Sequence, residues 1–109
     1  MSSDLFEPFQ LGDLTLDNRI VMAPMTRNRA NQDGVVPPMM VSHYQQRASA
    51  GLIITESVPV SREGVGYPFT PGICTDDHVA AWRRVTNAVH AAGGRIFVQL
   101  QYCGRISHP

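Results

Sequence analysis

Cysteine and histidine are scarce in this sequence, and neither residue type forms a motif. The 109 residues contain two cysteines, Cys74 and Cys103, and four histidines. No CxxC spacing occurs, and the histidines do not cluster with cysteines or acids at the spacings of metal ligands. We therefore predict no zinc site, and we interpret the cysteines as reduced thiols of a cytoplasmic protein.

An excess of charge of one sign and long apolar runs are also lacking. Nine basic residues balance nine acidic ones, so the formal net charge is zero. This balance provides no electrostatic attraction for nucleic acid or for an anionic membrane. No apolar run is long enough to span a bilayer, and the opening residues, MSSDLFEPFQ, have no basic region of the kind that begins a signal peptide. We expect neither nucleic acid nor a membrane as a partner.

Strand signals are the clearest local pattern. The segment LFEPFQLGDLTLDNRI alternates apolar and polar residues on both sides of Gly12 and Asp13, which predicts a β-hairpin. Three strand-like runs follow: IVMAPM, which has no polar face, LIITESVPV, which becomes polar at Thr55, Glu56 and Ser57, and RIFVQLQ. A continuous apolar run is typical of a strand that is buried on both sides in a parallel sheet, so we interpret the first two runs as buried strands and the third as a further strand.

A helix is predicted between each pair of these runs. The first begins at Pro37 and Pro38 and ends at Gly51, and its spacing places Met40, Tyr44 and Ala48 on one face.

The second helix begins after the N-cap candidates Thr75, Asp76 and Asp77, and Gly93 and Gly94 stop it. Its spacing predicts a buried face with the members Val79, Trp82, Val85 or Thr86, and Val89, and a solvated face with His78 and His90.

Strands that alternate with helices predict an α/β fold with a parallel sheet and right-handed crossovers. A doubly wound open sheet and a (β/α)₈ barrel both fit, and in both the ligands bind at the carboxyl ends of the strands. Open sheets commonly carry a GxGxxG turn, whereas MAPMTRNR follows the first long strand here and GVGYPFTPG lacks that spacing. The pattern favours a barrel, of which three strands would be less than half.

Three segments resemble the old yellow enzyme family of flavin-dependent ene-reductases: LFEPFQLGDLTLDNRIVMAPMTRNRA, YQQRASAGLIITESVPVSREGVGYPFTPGI, and WRRVTNAVHAAGGRIFVQL with the later GRISHP. The resemblance implies the N-terminal part of a (β/α)₈ TIM barrel, in which residues 1–109 form a β-hairpin, three strands and two helices. It implies non-covalently bound FMN, and hydride transfer from NADPH or NADH through the flavin to activated alkenes such as enones and enals.

The resemblance assigns five residues to the flavin. Pro24, Met25 and Thr26 would lie beside the isoalloxazine ring, with Thr26 hydrogen-bonded to its C4 carbonyl. Gln99 would bind the pyrimidine edge, because its amide can both donate and accept. Ser57 stands where the family has a small residue, usually Ala or Gly, near the same ring.

Three further residues are implied to line the substrate pocket: Tyr67, Gln101 and Tyr102. The family motif QLWHxGR reads QLQYCGR in this sequence, so Gln101 replaces a tryptophan and Tyr102 a histidine. Flavin binding through Gln99 is compatible with both changes, whereas the substrate preference is left open by them. Glu56 is interpreted as structural, held by a salt bridge or by loop hydrogen bonds, and Cys103 as an inert thiol.

The remaining catalytic groups of the family belong to later strands: the His–His or His–Asn pair that holds the substrate, the tyrosine that donates a proton, and the flavin phosphate site. We therefore expect no catalytic residue in this chain. We expect a complementary C-terminal part of the barrel, as a second chain, to complete the site around a small α,β-unsaturated substrate. Two alternatives remain: a non-catalytic fragment that only binds or assembles, and part of a related flavin barrel such as a dienoyl-CoA reductase.

Overall fold

The computed structural model describes residues 4–25, 30, 34–60 and 71–102. Three residues assigned above, Thr26, Tyr67 and Cys103, lie outside this description. A short 3₁₀ turn at Asp4–Phe6 precedes the main elements, which are β1 (Phe9–Leu11), β2 (Leu14–Leu16), β3 (Val21–Met22), α1 (Pro38–Gln45), β4 (Leu52–Pro59), α2 (Asp76–Ala91) and β5 (Ile96–Gln101).

The predicted hairpin is present. Strands β1 and β2 pair antiparallel, and Leu11 faces Leu14 across a two-residue turn. Gly12 has a φ of +57°, a conformation that glycine adopts without steric cost. Gln10 stabilises the turn from one strand, since its amide nitrogen donates to the carbonyl oxygen of Gly12 at 2.7 Å and its amide oxygen accepts from the Thr15 hydroxyl at 2.7 Å.

The other three strands form one parallel sheet in the order β3-β4-β5. This confirms the predicted parallel arrangement and places β4 in the centre. The apolar core lies between this sheet and the two helices, which pack against each other. Its buried members are Val36, Met40, Tyr44, Ala48, Ile53, Val58, Ala81, Trp82, Val85 and Val89.

β3 differs from the prediction that the first run is a buried strand, and β5, predicted only as a strand, is also partly exposed. β4 is mostly buried along its length, whereas β5 exposes Phe97, Val98 and Leu100, and Leu100 is 58% exposed. In the first run, only Val21 and Met22 pair as a strand. The physical reason is position: β3 and β5 each have a paired neighbour on one side only within the described residues.

Helix α1 buries the predicted face but ends earlier than predicted. Met40 and Tyr44 are buried on the helix, and Ala48 is buried in the turns that follow it. The α-helix ends at Gln45, and tighter turns continue the chain, with the amide of Ala48 bonded to the carbonyl of Gln45 at 3.1 Å. These turns redirect the chain into β4, so Gly51 lies beyond the helix and does not cap it.

Helix α2 begins as predicted at the N-cap Thr75, whose hydroxyl accepts from the amide of His78 at 3.1 Å. It ends at Ala91, and Gly93 follows with a φ of +84°. Val85 lies on its buried face and Thr86 is half-buried, while His90 is exposed as expected.

The prediction for the first turn of α2 was wrong. Val79 is 43% exposed, whereas His78, expected on the solvated face, is only 6% exposed. The ring of His78 is satisfied inside the protein, because its Nδ1 lies 3.2 Å from the amide nitrogen of Cys74 and 3.3 Å from that of Thr75. A polar ring with backbone partners can therefore occupy the interior position and turn the valine outward.

Gly51, at the entry to β4, is held closely against the chain that precedes β3. Its amide nitrogen lies 2.8 Å from the Ile20 carbonyl oxygen and 2.8 Å from Oδ1 of Asn18. A Cβ at this position would overlap the Asn18 carbonyl oxygen and would lie 2.9 Å from Oδ1 of the same residue.

We expect Gly51→Ala to lower the free energy of unfolding by about 1–3 kcal/mol, because backbone atoms would have to move. Urea unfolding followed by the fluorescence of Trp82, the single tryptophan in the sequence, measures this change. Gly12→Asn is the control, since the space around Gly12 is open and asparagine tolerates positive φ. Equal urea midpoints for Gly51→Ala and the parent would contradict the clash.

No helix in the described part of the chain is long and apolar enough to cross a membrane.

Candidate functional site

The carboxyl ends of β4 and β5 lie side by side and carry polar residues in register. Ser57 pairs with Gln99, and Pro59 pairs with Gln101. The Ser57 hydroxyl donates to Oε1 of Gln99 at 2.8 Å, so the two side chains meet across the strands. The structure therefore brings together two of the five residues that the sequence assigned to the flavin.

These side chains lie on the sheet face that the helices do not cover. Ile96 packs against the helical core, and side chains alternate between the two faces along a strand. Phe97, Gln99 and Gln101 consequently point away from the helices. Gln99 and Gln101 are half-buried, and Phe97 is exposed. In a closed barrel this face would be the interior.

A β-bulge in β4 sets the direction of Ser57. Ile54 pairs with Phe97 and Ser57 with Gln99, so β4 advances by three residues while β5 advances by two. The extra residue changes the alternation along β4. As a result Glu56 is buried on the helical side of the sheet, and Ser57 meets Gln99 on the other side.

Glu56 is structural, as interpreted from the sequence, but one of its partners lies on a helix. The Tyr44 hydroxyl of α1 donates to Oε1 of Glu56 at 3.1 Å, and the same hydroxyl oxygen lies 3.2 Å from the amide nitrogen of Glu56. Both residues are 1% exposed. The carboxyl group therefore faces the helical layer, away from the side of the sheet on which Ser57 and Gln99 meet.

Thr55, the other residue of the bulge, joins the two strands through its side chain. Its hydroxyl accepts from the amide nitrogen of Gln99 at 3.1 Å and donates to the carbonyl oxygen of Glu56 at 2.9 Å. Sequence reasoning treated Tyr44 as core packing and gave Thr55 no role. The available signal was the polar sequence Thr55-Glu56 inside an otherwise apolar strand.

Pro24 and Met25 follow the carboxyl end of β3, at the sheet edge that also carries Ser57 and Gln99. Both are exposed, and Met25 is 66% exposed. This is the edge on which the sequence placed them. Their contacts with a flavin stay a prediction, as does the role of Thr26.

The pocket residues begin where β5 ends. The backbone oxygen of Gln101 accepts from the amide of Val60 at 3.1 Å, and its half-buried side chain shares the face of Gln99. Tyr102 follows and is 57% exposed. Tyr67 cannot be placed with them because it lies outside the described residues, so the pocket assignment stays a prediction.

Within the described ranges, no group of three or more His, Cys, Asp or Glu residues is arranged to hold a metal ion. The chemistry of the strand-end site rests instead on amide and hydroxyl groups. Such groups can recognise the alternating donors and acceptors of a heterocyclic ring edge.

A family model and individual proteins of similar sequence both match nearly the whole chain. The family described as NADH:flavin oxidoreductase / NADH oxidase matches residues 4–108. The chain is 49% identical over 107 residues to a chanoclavine-I aldehyde reductase of Penicillium roqueforti, covering 96% of this chain and 29% of the relative.

Solved structures agree with the sequence relatives. The structure of the old yellow enzyme homologue from Zymomonas mobilis is similar with a TM-score of 0.91 and 52% identity, covering 94% of this chain and 29% of that one. A structure of morphinone reductase in complex with tetrahydroNAD is similar with a TM-score of 0.92 and 51% identity, covering 98% of this chain and 29% of that one.

The chain therefore spans about 29% of the length of these relatives. The family match extends over nearly all of its residues, and the described strands and helices superimpose closely on an old yellow enzyme homologue. The chain belongs to the NADH:flavin oxidoreductase / NADH oxidase family, and its sequence corresponds to an N-terminal portion of an old yellow enzyme.

Proposed function

We propose that these residues form the N-terminal part of a (β/α)₈ barrel that binds FMN and reduces activated alkenes with NADPH or NADH. The observation that carries the proposal is the Ser57–Gln99 hydrogen bond at the carboxyl edge of the sheet, on the face that the helices leave uncovered. In parallel α/β folds this edge is where ligands bind.

The donor and acceptor groups at this edge fit a flavin. The pyrimidine edge of FMN presents carbonyl acceptors beside an N–H donor, and the amide of Gln99 offers both complementary groups. Because Oε1 of Gln99 accepts from Ser57, the orientation of the amide is fixed, and Nε2 supplies the donor for a flavin carbonyl. Pro24 and Met25, exposed at the same edge, supply apolar surface for the ring, and the family pattern adds the hydroxyl of Thr26.

Bound FMN would supply the hydride-carrying centre of the reaction. The proposed contribution of this chain is to bind and orient the ring through Gln99 and the residues after β3. Residues 1–109 would form one incomplete domain with these elements. A complementary C-terminal part of the barrel, as a second chain, would supply the proton donor, the substrate-holding pair and the phosphate site. We call the two parts together the assembled barrel. The C-terminal part can also be taken from the Zymomonas mobilis relative.

The test of the proposal is the visible spectrum and turnover of the assembled barrel. We expect a purified sample to be yellow, to release FMN on denaturation, and, in the absence of O₂, to oxidise more than one equivalent of NADPH only when an enone or enal is added. A sample that remains colourless after incubation with excess FMN would contradict flavin binding. A yellow sample that reduces no enone or enal would leave flavin binding in place and contradict the reductase activity.

The first alternative is a non-catalytic binding or assembly piece, and it predicts that this chain is stable without flavin. The second is part of a dienoyl-CoA reductase, and it predicts turnover with a dienoyl-CoA together with an iron–sulfur signal. The visible spectrum, together with turnover of an enone, an enal and a dienoyl-CoA, distinguishes both alternatives from the ene-reductase. The Ser57–Gln99 pair at the carboxyl ends of β4 and β5 favours the two flavin enzymes, the ene-reductase and the dienoyl-CoA reductase, over the assembly piece.

Gln101→Trp should change the choice of alkene or the face that is reduced. Gln101 lies two residues beyond Gln99 on the same face, and an indole is far larger than the amide it would replace. The measurement is the ranking of several enones by kcat/KM and the stereochemistry of their products in the assembled barrel. Identical ranking and stereochemistry in variant and parent would remove Gln101 from the proposed pocket.

A further inference from the structure

Three buried polar residues lie directly behind the proposed flavin edge, and the proposed function gives them no role. They are Tyr44, Thr55 and Glu56, each 1% exposed, and we call them the bulge network. Glu56 bonds to Tyr44 on helix α1, and the Thr55 hydroxyl is shared between the amide of Gln99 and the carbonyl of Glu56.

The first connection in the network joins α1 to the bulge. A single hydroxyl group, that of Tyr44, bonds both the carboxyl oxygen of Glu56 and its backbone amide, at 3.1 and 3.2 Å. It therefore holds the main chain of the bulge as well as one side chain. A displacement of this hydroxyl would break both bonds together and release the main chain immediately before Ser57.

The second connection joins the bulge to Gln99. The amide nitrogen of Gln99, which pairs with Ser57 in the parallel ladder, also donates to the hydroxyl of Thr55 at 3.1 Å. Gln99 is thus held at two points, at its backbone nitrogen by Thr55 and at its side-chain oxygen by Ser57. Both holding residues belong to the bulged segment of β4.

The position of Gln99 consequently depends on side chains that lie behind the sheet. Buried polar groups require partners in any fold, so hydrogen bonding alone would indicate only stability. The distinguishing feature is that the bonds converge on the one bulge that turns Ser57 toward Gln99. Bulges beside functional sites commonly serve to redirect a side chain.

We propose that Tyr44, Thr55 and Glu56 are positioning residues that present the amide of Gln99 to the flavin, so that FMN affinity and reduction potential depend on the hydroxyl of Tyr44. The inference rests on the proposed function, because it requires FMN at the Gln99 edge. Tyr44 acts through the bulge and does not touch the ring.

The test uses Tyr44→Phe in the assembled barrel. This change keeps the ring, which packs 6.1 Å from Trp82 between centroids, and removes only the hydroxyl. We expect the FMN dissociation constant to rise about threefold to tenfold, the factor that corresponds to about one lost hydrogen bond, and the flavin midpoint potential to shift. A purely structural role would lower stability without moving the potential of the fraction that remains folded.

Val89→Ala is the matched control. Val89 belongs to the same core but lies at the other end of the sheet, beside Gly94, where a Cβ would come within 2.9 Å of its Cγ1. This variant should also lower stability, while the FMN dissociation constant changes by less than about twofold and the potential stays at the parent value.

A double-mutant cycle identifies the route of the effect. In a Gln99→Leu background, Tyr44→Phe should change FMN affinity by less than about twofold, because the amide that it positions is absent. An undiminished effect in that background would overturn the proposal. Thr55→Val, which keeps the shape and removes the hydroxyl, provides the same test if Tyr44→Phe does not fold.

The outcomes separate this inference from the proposed function. If the parent binds no FMN, the proposed function fails and the inference fails with it. If the parent binds FMN and both Tyr44→Phe and Thr55→Val retain its affinity and potential, only the positioning role is overturned. If either variant moves both quantities and Val89→Ala moves neither, the positioning role is supported.

Discussion

The 109-residue polypeptide by itself should neither retain FMN through gel filtration nor oxidise NADPH in the presence of an enone. The described site supplies one edge, in which Ser57 and Gln99 meet, and the sequence indicates no proton donor or phosphate site. Correct positioning of reacting groups lowers a barrier by about 7–11 kcal/mol. Without the opposite side of the pocket this contribution is lost, so the rate should fall by at least about 10⁵-fold from that of the assembled barrel.

Addition of the complementary part should restore colour and turnover together. Association is favoured because Phe97 and Leu100 of β5 are exposed and both outer strands have unpaired edges within the described sheet. The measurement is NADPH oxidation against titrated complement, with flavin absorbance recorded on the same samples. Stoichiometric flavin-dependent turnover by the isolated polypeptide would contradict this expectation, once mass spectrometry has excluded intact enzyme.

Gln99→Leu should raise the FMN dissociation constant of the assembled barrel about 5-fold to 150-fold. The substitution leaves a buried flavin edge without its partner, at a cost of about 1–3 kcal/mol. It also removes the acceptor of the Ser57 hydroxyl. Equilibrium dialysis against FMN measures the affinity, and urea unfolding of the FMN-free protein measures the separate effect on stability.

Gln101→Leu is the matched control for this experiment, because it makes the same chemical change on the same face two residues further along β5. It should alter FMN affinity by less than about twofold, since Gln101 is assigned to the substrate pocket. If Gln99→Leu holds FMN as tightly as the parent, Gln99 is a structural residue. If both variants weaken FMN equally, the division between flavin edge and pocket is wrong.

Sequence alone determined the features that depend on local backbone preference. Gly12 and Asp13 between alternating residues indicated the hairpin, because glycine followed by aspartate is a common two-residue hairpin turn. Apolar runs separated by helical spacing indicated the parallel sheet. The family followed from motifs in order along the chain, and it was confirmed by the match over residues 4–108.

Tertiary structure decided what depends on partners distant along the chain. Helical spacing placed Val79 on the buried face and His78 on the solvated face, but backbone amides before α2 satisfy the ring of His78 and allow it to be buried instead. Strand alternation likewise could not show which side Glu56 would face. The bulge and the hydroxyl of Tyr44 decided that.

The candidate site also has features that the sequence predicted and features that only the tertiary structure decided. Its residue types and their place at strand ends could be read from the sequence, because parallel strands end at a common edge. The bond between Ser57 and Gln99, and the support of Gln99 by Thr55, required the register of β4 against β5. A one-residue bulge sets that register, and no local propensity specifies it, because its stability comes from hydrogen bonds to residues 12 and 44 positions away along the chain.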